Sequence, residues 1–132
     1  MKEKIKKTKE KWKEILTSEE FHVLREKGTE LPFSGKFVYN KNKGAYVCAG
    51  CSNKLFSSDK KFDSGSGWPS FWDVISNNSV ELKPDHSFGM KRIEVVCSRC
   101  GGHLGHVFDD GPQPSGKRFC INSLSLDFEE KK

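Results

Sequence analysis

Two Cys-x-x-Cys pairs, Cys48 with Cys51 and Cys97 with Cys100, constrain the fold of this chain more than any other feature. A fold that brings the two pairs together presents four thiolates, a ligand set that suits the tetrahedral geometry of Zn²⁺. Four sulfur ligands leave no coordination position for water, so the spacing predicts one structural, non-catalytic zinc ion per chain. Iron in the same geometry and a pair of disulfides are the alternatives.

The charge of the chain is concentrated at its N-terminus. The 132 residues carry a net charge of +5, but residues 1–14 alone hold seven lysines and three glutamates. The remaining 118 residues hold 16 basic and 15 acidic side chains, so the body of the chain is nearly neutral. A nucleic-acid-binding domain would carry a basic face on its body. We therefore expect no nucleic-acid partner and interpret the basic N-terminus as a solvated helical extension.

The distribution of apolar residues argues against a membrane protein. Hydrophobic residues make up 34% of the chain, and no apolar run approaches the ~18–20 residues of a membrane span. The opening segment also lacks the continuous apolar stretch of a secretory signal. We therefore expect a cytoplasmic protein with no membrane partner. In that reducing compartment, paired cysteines indicate metal or redox chemistry more often than structural disulfides.

Local patterns predict a short helical arm followed by a compact, mostly antiparallel β domain. Thr17 and Glu20 have the spacing of a capping box, which predicts a helix over 18–27 with Gly28 just beyond its C-terminus. Short β-prone runs alternate with loops rich in Gly, Ser, Asp and Pro. These runs predict strands at 37–39, 45–47, 70–74, 93–96, 106–108, 118–122 and 124–128.

The fifth cysteine, Cys120, lies in a segment whose side chains alternate in character. As a strand, this segment points Arg118, Cys120 and Asn122 to one face and Phe119 and Ile121 to the other. A lone cysteine is commonly an inert core residue, but polar neighbours favour a reactive thiol because a nearby arginine stabilises the thiolate. The apolar phase changes after residue 123, which predicts a bulge or bend close to Cys120.

Two histidines and one tryptophan are further candidate functional residues. His103 and His106 follow the second cysteine pair directly and could be metal ligands, structural residues or acid–base groups. Their spacing does not choose among these roles. Trp68 lies in a glycine-rich loop, where it is either a core residue or a lid whose ring accepts an apolar or sulfur-bearing group.

Six motifs together resemble the methionine-(R)-sulfoxide reductase B family. The resemblance spans 17–128 and is carried by residues 21–33, 48–51, 61–71, 97–108, 109–112 and 116–123. It implies a mainly β fold of two small antiparallel sheets around a compact core, with structural zinc remote from the catalytic cysteine. It also divides the chain into a basic extension (1–16), a catalytic domain (17–128) and a charged tail (129–132).

The same resemblance implies a thiol-dependent reduction of methionine (R)-sulfoxide in oxidised proteins. The Cys120 thiolate would attack the sulfoxide sulfur, take its oxygen and become a sulfenic acid. His106 and His103 match the acid and water-positioning imidazoles of the family, and Arg118 would favour the thiolate. The motifs assign roles to four further residues. Asn122 would hold the pocket or its water network, and the substrate-binding positions would be Trp68, Phe108 and Asp110.

One position departs from the family pattern. Many members carry a resolving cysteine where this chain has Ser66. We therefore expect a one-cysteine form whose Cys120 sulfenic acid is reduced directly by thioredoxin, glutaredoxin or a small thiol. We also expect the protein to be a monomer. The alternative is a zinc-stapled protein- or RNA-binding module without catalysis. That alternative gives no reason for a cation, a thiol and an amide to share one strand face.

Overall fold

A computed structural model describes residues 5–86 and 89–130. Two helices precede nine strands. The helices are α1 (Lys9–Ile15) and α2 (Ser18–Glu26). The strands are β1 (Gly44–Cys48), β2 (Lys54–Ser57), β3 (Lys61–Phe62), β4 (Ser70–Phe71), β5 (Val80–Asp85), β6 (Arg92–Cys97), β7 (His103–Phe108), β8 (Arg118–Ile121) and β9 (Leu126–Glu130). None of the helices in these ranges is long and apolar enough to cross a membrane.

The strands form two antiparallel sheets, which confirms the predicted fold class. The first sheet has the order β2-β1-β9, and the second has the order β3-β4-β8-β7-β6-β5. The chain passes from β8 in one sheet to β9 in the other through a 3₁₀ turn at Ser123–Ser125. The predicted bend after Cys120 is therefore a change of sheet, which explains why the apolar phase of the sequence shifts there.

Aromatic side chains fill the space between the sheets. Tyr46 and Phe56 come from the first sheet, and Phe71 and Phe119 come from the second. The rings of Phe56 and Phe71 stack with centroids 4.4 Å apart, and Tyr46 meets Phe71 edge-on at 5.1 Å. Such ring pairs stabilise a core beyond the area that they bury. This core gives β8, the strand that carries Cys120, a rigid apolar backing.

Helix α2 begins as predicted and ends one residue earlier than predicted. Thr17 Oγ1 accepts from the Glu20 N–H at 3.1 Å, and Glu20 Oε1 accepts from the Thr17 N–H at 2.9 Å, so the capping box is present. The left-handed residue after the helix is Lys27 (φ 58°) and not Gly28. Gly28 leaves room for the His22 ring, which would have to move if a Cβ were present, since the two would lie 2.2 Å apart.

Helix α1 connects the basic extension to the domain. Its lysines are exposed, as expected for a solvated segment, but Trp12 is only 2% exposed and packs against Gly50 and the guanidinium of Arg25. The Ile5 N–H also donates to the Arg99 carbonyl at 2.6 Å. The prediction of a wholly solvated extension is therefore wrong for Trp12, whose large ring is more stable buried than in water. Residues 1–4 lie outside the described residues.

Three local predictions differ from the structure. Residues 37–39 form a turn, with the Val38 N–H donating to the Gly35 carbonyl at 3.4 Å, because Phe37 reaches the core without a strand. Strands β2, β3 and β5 are not among the predicted strands: β2 and β3 are only four and two residues long, and β5 alternates but contains Pro84, a residue that counts against a strand. Strand β9 extends to Glu130 and so includes residues of the predicted tail. Residues 131–132 of that tail lie outside the described residues.

Candidate active site and metal centre

The four paired cysteines converge at a junction of the two sheets. Cys48 ends β1 of the first sheet, and Cys97 ends β6 of the second. The four Sγ atoms lie within 4.8 Å of one another, with 3.6 Å between Cys48 and Cys100 and 3.5 Å between Cys51 and Cys97. Tetrahedral sulfur ligands at about 2.3 Å from a zinc ion lie about 3.8 Å apart. The cluster therefore has the dimensions needed to hold a metal ion.

Interactions within this cluster lower the pKa of Cys51 and Cys97 and raise the pKa of Cys48 and Cys100, so they favour thiolates at two of the four positions. A thiolate at Cys97 accepts hydrogen bonds from the other three cysteines, first of all Cys100, and these hold the pKa of Cys97 far below its usual range. The side-chain amide of Asn53 also approaches Cys97 Sγ at 3.7 Å. Thiolates are the metal-binding form of cysteine, and a cation would neutralise the negative charge that they concentrate.

A cavity of about 290 Å³ lies on the second sheet. None of the residues that line it belongs to the four-cysteine cluster. The cavity is lined by six of the predicted catalytic and substrate-binding residues, together with four others. The predicted six are Trp68, His106, Phe108, Arg118, Cys120 and Asn122, and the others are Thr29, Ser66, Arg92 and Gly105. The predicted polar strand face is thus one wall of a real cavity.

Strand register places the reactive groups of this cavity side by side. Cys120 of β8 lies directly opposite His106 of β7 and Ser70 of β4. Directly paired residues of an antiparallel sheet project from the same face. Cys120 and His106 therefore share the cavity, while Phe119 and Ile121 on the opposite face of β8 are buried in the core.

His106 is held by a carboxylate that the sequence analysis missed. Its Nε2 lies 2.7 Å from Asp85 Oδ2, and Arg92 Nη2 lies 3.6 Å from the same oxygen. Asp85 and Arg92 are cross-strand partners in β5 and β6. The carboxylate fixes the orientation of the imidazole, and no hydrogen bond from Nδ1 is formed within the described residues. His106 can therefore exchange a proton with a molecule in the cavity.

His103 lies next to His106 but behind the cavity wall. Its Nδ1 lies 2.7 Å from Glu94 Oε2, and the two histidine rings are 5.4 Å apart. Burial lowers the pKa of His103, and this outweighs the opposing effect of Glu94. His103 is therefore a neutral imidazole at neutral pH. It supports the wall that carries His106 and does not line the cavity.

The Cys120 thiol is half-buried, and its pKa is not lowered as the sequence pattern suggested. Burial raises the pKa of Cys120, while Ser66 and Arg118 lower it and Glu30 raises it. The net direction is upward, because loss of hydration outweighs the nearby guanidinium. Ser66 Oγ lies 3.8 Å from Cys120 Sγ. The resting cysteine is therefore mostly a neutral thiol at neutral pH.

Arg118 is shared between Cys120 and an exposed carboxylate. Its Nε donates to Asp110 Oδ1 at 2.9 Å and its Nη2 to Asp110 Oδ2 at 3.2 Å. The guanidinium also lies over the Phe108 ring, 4.4 Å from the centroid. Asp110, predicted as a substrate-binding residue, does not line the cavity and instead forms this bidentate pair with Arg118. The pair fixes the guanidinium at the rim.

The indole of Trp68 is fixed on a loop that the backbone constrains. Its Nε1 donates to the Glu30 carbonyl at 3.0 Å. Gly67 adopts φ 96°, and a Cβ there would lie 2.6 Å from Pro32, so only glycine fits. The Phe33 N–H donates to the Gly67 carbonyl at 2.7 Å. These contacts fix the Trp68 side chain in the wall of the cavity, so of its two predicted positions it does not take the one in the core.

Comparisons with known proteins agree with this geometry. A family model described as the SelR domain matches residues 16–130. The protein named peptide methionine sulfoxide reductase MsrB of Methanosarcina mazei is 65% identical over 128 residues, which cover 97% of this chain and 91% of the relative. A protein of the same name from Leptospira interrogans is 54% identical over 127 residues, covering 96% and 97%.

A eukaryotic relative matches as well. Methionine-R-sulfoxide reductase B3, mitochondrial, of Mus musculus is 57% identical over 113 residues, which cover 86% of this chain and 45% of that relative. The similarity therefore includes the cysteine cluster and the cavity residues alike, since both lie within the matched part of the chain.

Proposed function

The chain belongs to the SelR-domain family of MsrB proteins, and on this basis we propose that it reduces the R epimer of methionine sulfoxide in oxidised proteins. One observation supports the chemistry more than any other. Cys120 lies in a cavity with His106 beside it and the Trp68 ring among its walls. A thiol, an acid–base group and an apolar surface are the three groups that this reaction needs.

The first step transfers one oxygen atom from sulfur to sulfur. The Cys120 thiolate attacks the sulfoxide sulfur, the S–O bond of the substrate breaks, and methionine leaves as the reduced thioether. Cys120 takes the oxygen and, with one proton, becomes a sulfenic acid, the first and reversible stage of cysteine oxidation. Cysteine is oxidised and methionine sulfoxide is reduced, so no other electron donor enters this step.

His106 supplies the proton that this step requires. A sulfoxide oxygen leaves sulfur readily only when it is protonated, and an imidazole near neutral pH can deliver that proton. Asp85 fixes the orientation of the imidazole through its 2.7 Å contact with Nε2. The neutral His103 positions this histidine or a water molecule and does not itself donate the proton.

Two neighbouring side chains assist the deprotonation of Cys120. Its thiol is mostly protonated at rest because burial raises its pKa, so a proton must leave before the attack. Arg118 and the Ser66 hydroxyl both stabilise the thiolate that forms. Asn122, whose amide donates to the Leu104 carbonyl at 3.0 Å, keeps the polar end of the cavity in place.

The catalytic cycle closes with an external thiol. Ser66 cannot form a disulfide with Cys120, and the other four cysteines of the chain belong to the cluster. Two thiols of thioredoxin, glutaredoxin or a small thiol would reduce the sulfenic acid to the thiol and water, leaving one disulfide on the donor. The chain is thus proposed to be a one-cysteine form that acts as a monomer.

The four-cysteine cluster is proposed to hold one structural Zn²⁺. Its sulfur-only donor set and its dimensions fit the tetrahedral ion. Bound zinc would supply no chemistry to the cavity, since four protein ligands complete its coordination. Five reduced cysteines are stable in a reducing compartment, which supports a cytoplasmic location. Residues 17–128 would form the catalytic domain, with 1–16 and 129–132 as its extensions.

The decisive experiment is a dithiothreitol-driven assay with the two sulfoxide epimers in one peptide. The metal-loaded protein should reduce the R epimer and leave the S epimer unchanged. After one turnover without reductant, intact-mass analysis should find one added oxygen on Cys120. Equal reduction of both epimers, or no reduction by the folded protein, contradicts the proposed activity. A disulfide between Cys120 and another cysteine of the chain contradicts the one-cysteine cycle.

A further inference from the structure

Glu30 connects two side chains that both line the cavity. Its backbone N–H donates to Asn122 Oδ1 at 3.0 Å, and its backbone carbonyl accepts from Trp68 Nε1 at 3.0 Å. Asn122 follows β8, whereas Trp68 belongs to the loop that precedes β4. Glu30 itself does not line the cavity. A single peptide segment therefore sets the position of the indole relative to the amide.

The side chain of Glu30 anchors the residue that makes these two bonds. Glu30 is only 7% exposed, and its Oε1 accepts from the Leu124 N–H at 2.9 Å. Its Oε2 is buried and has no hydrogen-bond partner among residues 5–86 and 89–130. This oxygen lies beside Gly35, where a Cβ would be 2.4 Å from it.

A buried carboxylate with one oxygen unpaired is unfavourable for stability. Moving such a group out of water costs free energy that a single hydrogen bond only partly offsets. An apolar side chain would fill this space at lower cost. A glutamate at this position is therefore better explained by its hydrogen bond. Its side chain is long enough to reach the turn that follows β8, and its oxygen accepts from a backbone N–H there.

From this arrangement we propose that Glu30 is a positioning residue, which holds the Trp68 indole and the Asn122 amide at a fixed separation across the cavity. The inference rests on the proposed function, which identifies the bound group as a methionine sulfoxide whose methyl group packs on the Trp68 indole. Glu30 acts through its two backbone bonds and its bond to Leu124, without contact to the substrate. The separation decides how well the sulfoxide fits between ring and amide.

The test compares Glu30→Ala with Glu30→Gln. Alanine removes the bond to the Leu124 N–H, whereas glutamine retains an oxygen that can accept it. In ¹H–¹⁵N NMR spectra, the Trp68 indole N–H is assigned by its disappearance in Trp68→Phe. Its hydrogen exchange should be about tenfold faster in Glu30→Ala and near the wild-type rate in Glu30→Gln, as expected for loss of one hydrogen bond. The half-buried Trp72 indole is the internal control and should not change.

Kinetic measurements add a second readout. With an R-sulfoxide peptide, the KM of Glu30→Ala should rise about fivefold to tenfold while kcat falls less, and Glu30→Gln should restore most of the difference. Hydrogen exchange is measured without substrate, so a folded wild-type protein that lacks reductase activity would contradict the proposed function and leave this test intact. Unchanged exchange of the Trp68 indole in Glu30→Ala would overturn the positioning role. Equal defects in Glu30→Ala and Glu30→Gln would also overturn it, because they would show an effect of charge.

A third variant covers the case in which Glu30→Ala does not fold. Glu30→Asp keeps the charge, but its carboxylate is one methylene shorter and cannot keep the same bond to the Leu124 N–H. It should reproduce the faster indole exchange. In the wild-type protein itself, the Trp68 indole must exchange more slowly than the Trp72 indole. Equal exchange rates of these two indoles would contradict the proposal without any substitution.

Discussion

Cys120 and His106 lie directly opposite each other on neighbouring strands, and both face the same cavity. The pairing is a property of the backbone register, so it exists before any substrate arrives. His106 receives a second constraint from Asp85, 2.7 Å from its Nε2. The sulfur and the imidazole therefore act as one unit whose geometry depends on three strands, β5, β7 and β8.

We expect His106→Asn to impair oxygen transfer without removing the reactive thiol. The substitution deletes the proton donor, and loss of general acid catalysis typically reduces kcat by about 10²–10⁴-fold. Turnover of an R-sulfoxide peptide measures this effect. Labelling of Cys120 by iodoacetamide should persist in the variant. Wild-type turnover of His106→Asn would exclude the histidine as the acid.

Replacing each type of cysteine should separate chemistry from stability. Cys120→Ser should abolish turnover while the metal content and the midpoint of thermal unfolding stay close to wild-type values, because Cys120 is outside the cluster. Activity, metal analysis and calorimetry on the same preparation provide the comparison. Loss of bound metal in Cys120→Ser would mean that this sulfur belongs to the cluster after all.

The matched substitution in the cluster should have the opposite result. Cys97→Ser removes one of four thiolates, and structural zinc contributes about 10–16 kcal/mol of apparent binding free energy to folding. We expect the variant to lose its metal and several kcal/mol of its free energy of unfolding. Prolonged treatment of the wild-type protein with a strong chelator should have the same effect. A metal-free Cys97→Ser protein of wild-type stability would contradict the structural role.

The reactivity of Cys120 should increase with pH through the alkaline range. Burial raises its pKa, so the thiolate is the minor form at pH 7 and becomes the major form only above the ordinary thiol pKa. The neighbouring charged groups are Arg118, which lowers this pKa, and Glu30, which raises it, while His106 lies opposite the sulfur. Iodoacetamide labelling rates measured against pH give the midpoint.

Arg118→Met should move that midpoint further upward and slow the labelling at pH 8. The positive charge that stabilises the thiolate is removed, whereas the long side chain still covers the cavity rim. Asp110→Asn is the control, since it perturbs the exposed partner of Arg118 and keeps the guanidinium. A midpoint below the ordinary thiol value in the wild-type protein would show that desolvation does not dominate.

Ser66→Cys should change the catalytic cycle from one cysteine to two, with an intramolecular disulfide as its intermediate. Ser66 Oγ lies 3.8 Å from Cys120 Sγ, so a thiol at this position can attack the sulfenic acid and release water. After one turnover without reductant, intact-mass analysis should then find a disulfide and no added oxygen. Ser66→Ala is the control and should retain the sulfenic acid. Retention of the sulfenic acid in Ser66→Cys would mean that the loop holds the two side chains in an unsuitable orientation.

Part of this architecture follows from local sequence patterns. The capping box of Thr17 and Glu20, the cysteine spacing and the alternating face around Cys120 each involve residues close together in sequence, and all are present in the structure. Such patterns depend on helix and strand periodicity, which a short segment expresses by itself. The long motifs shared with one family supplied the rest of the expected cavity.

Other features depend on contacts between distant segments. Asp85 and Glu94 hold the two histidines through cross-strand register, and nothing in their own neighbourhood marks them as partners. The pKa of Cys120 was misjudged for a related reason. Arg118 is visible in the sequence beside it, but the burial that outweighs the guanidinium comes from elements far away in the chain. Solvation at a site is a tertiary property.

The four-cysteine cluster joins a strand of one sheet to a strand of the other. If the proposed metal is bound, peroxide that oxidises these thiolates would remove its ligands and so weaken one of the links between the sheets. Oxidation of Cys120, in contrast, is a reversible stage of the proposed cycle. On this proposal, resistance to oxidative damage depends on four sulfurs outside the cavity as well as on the one sulfur inside it.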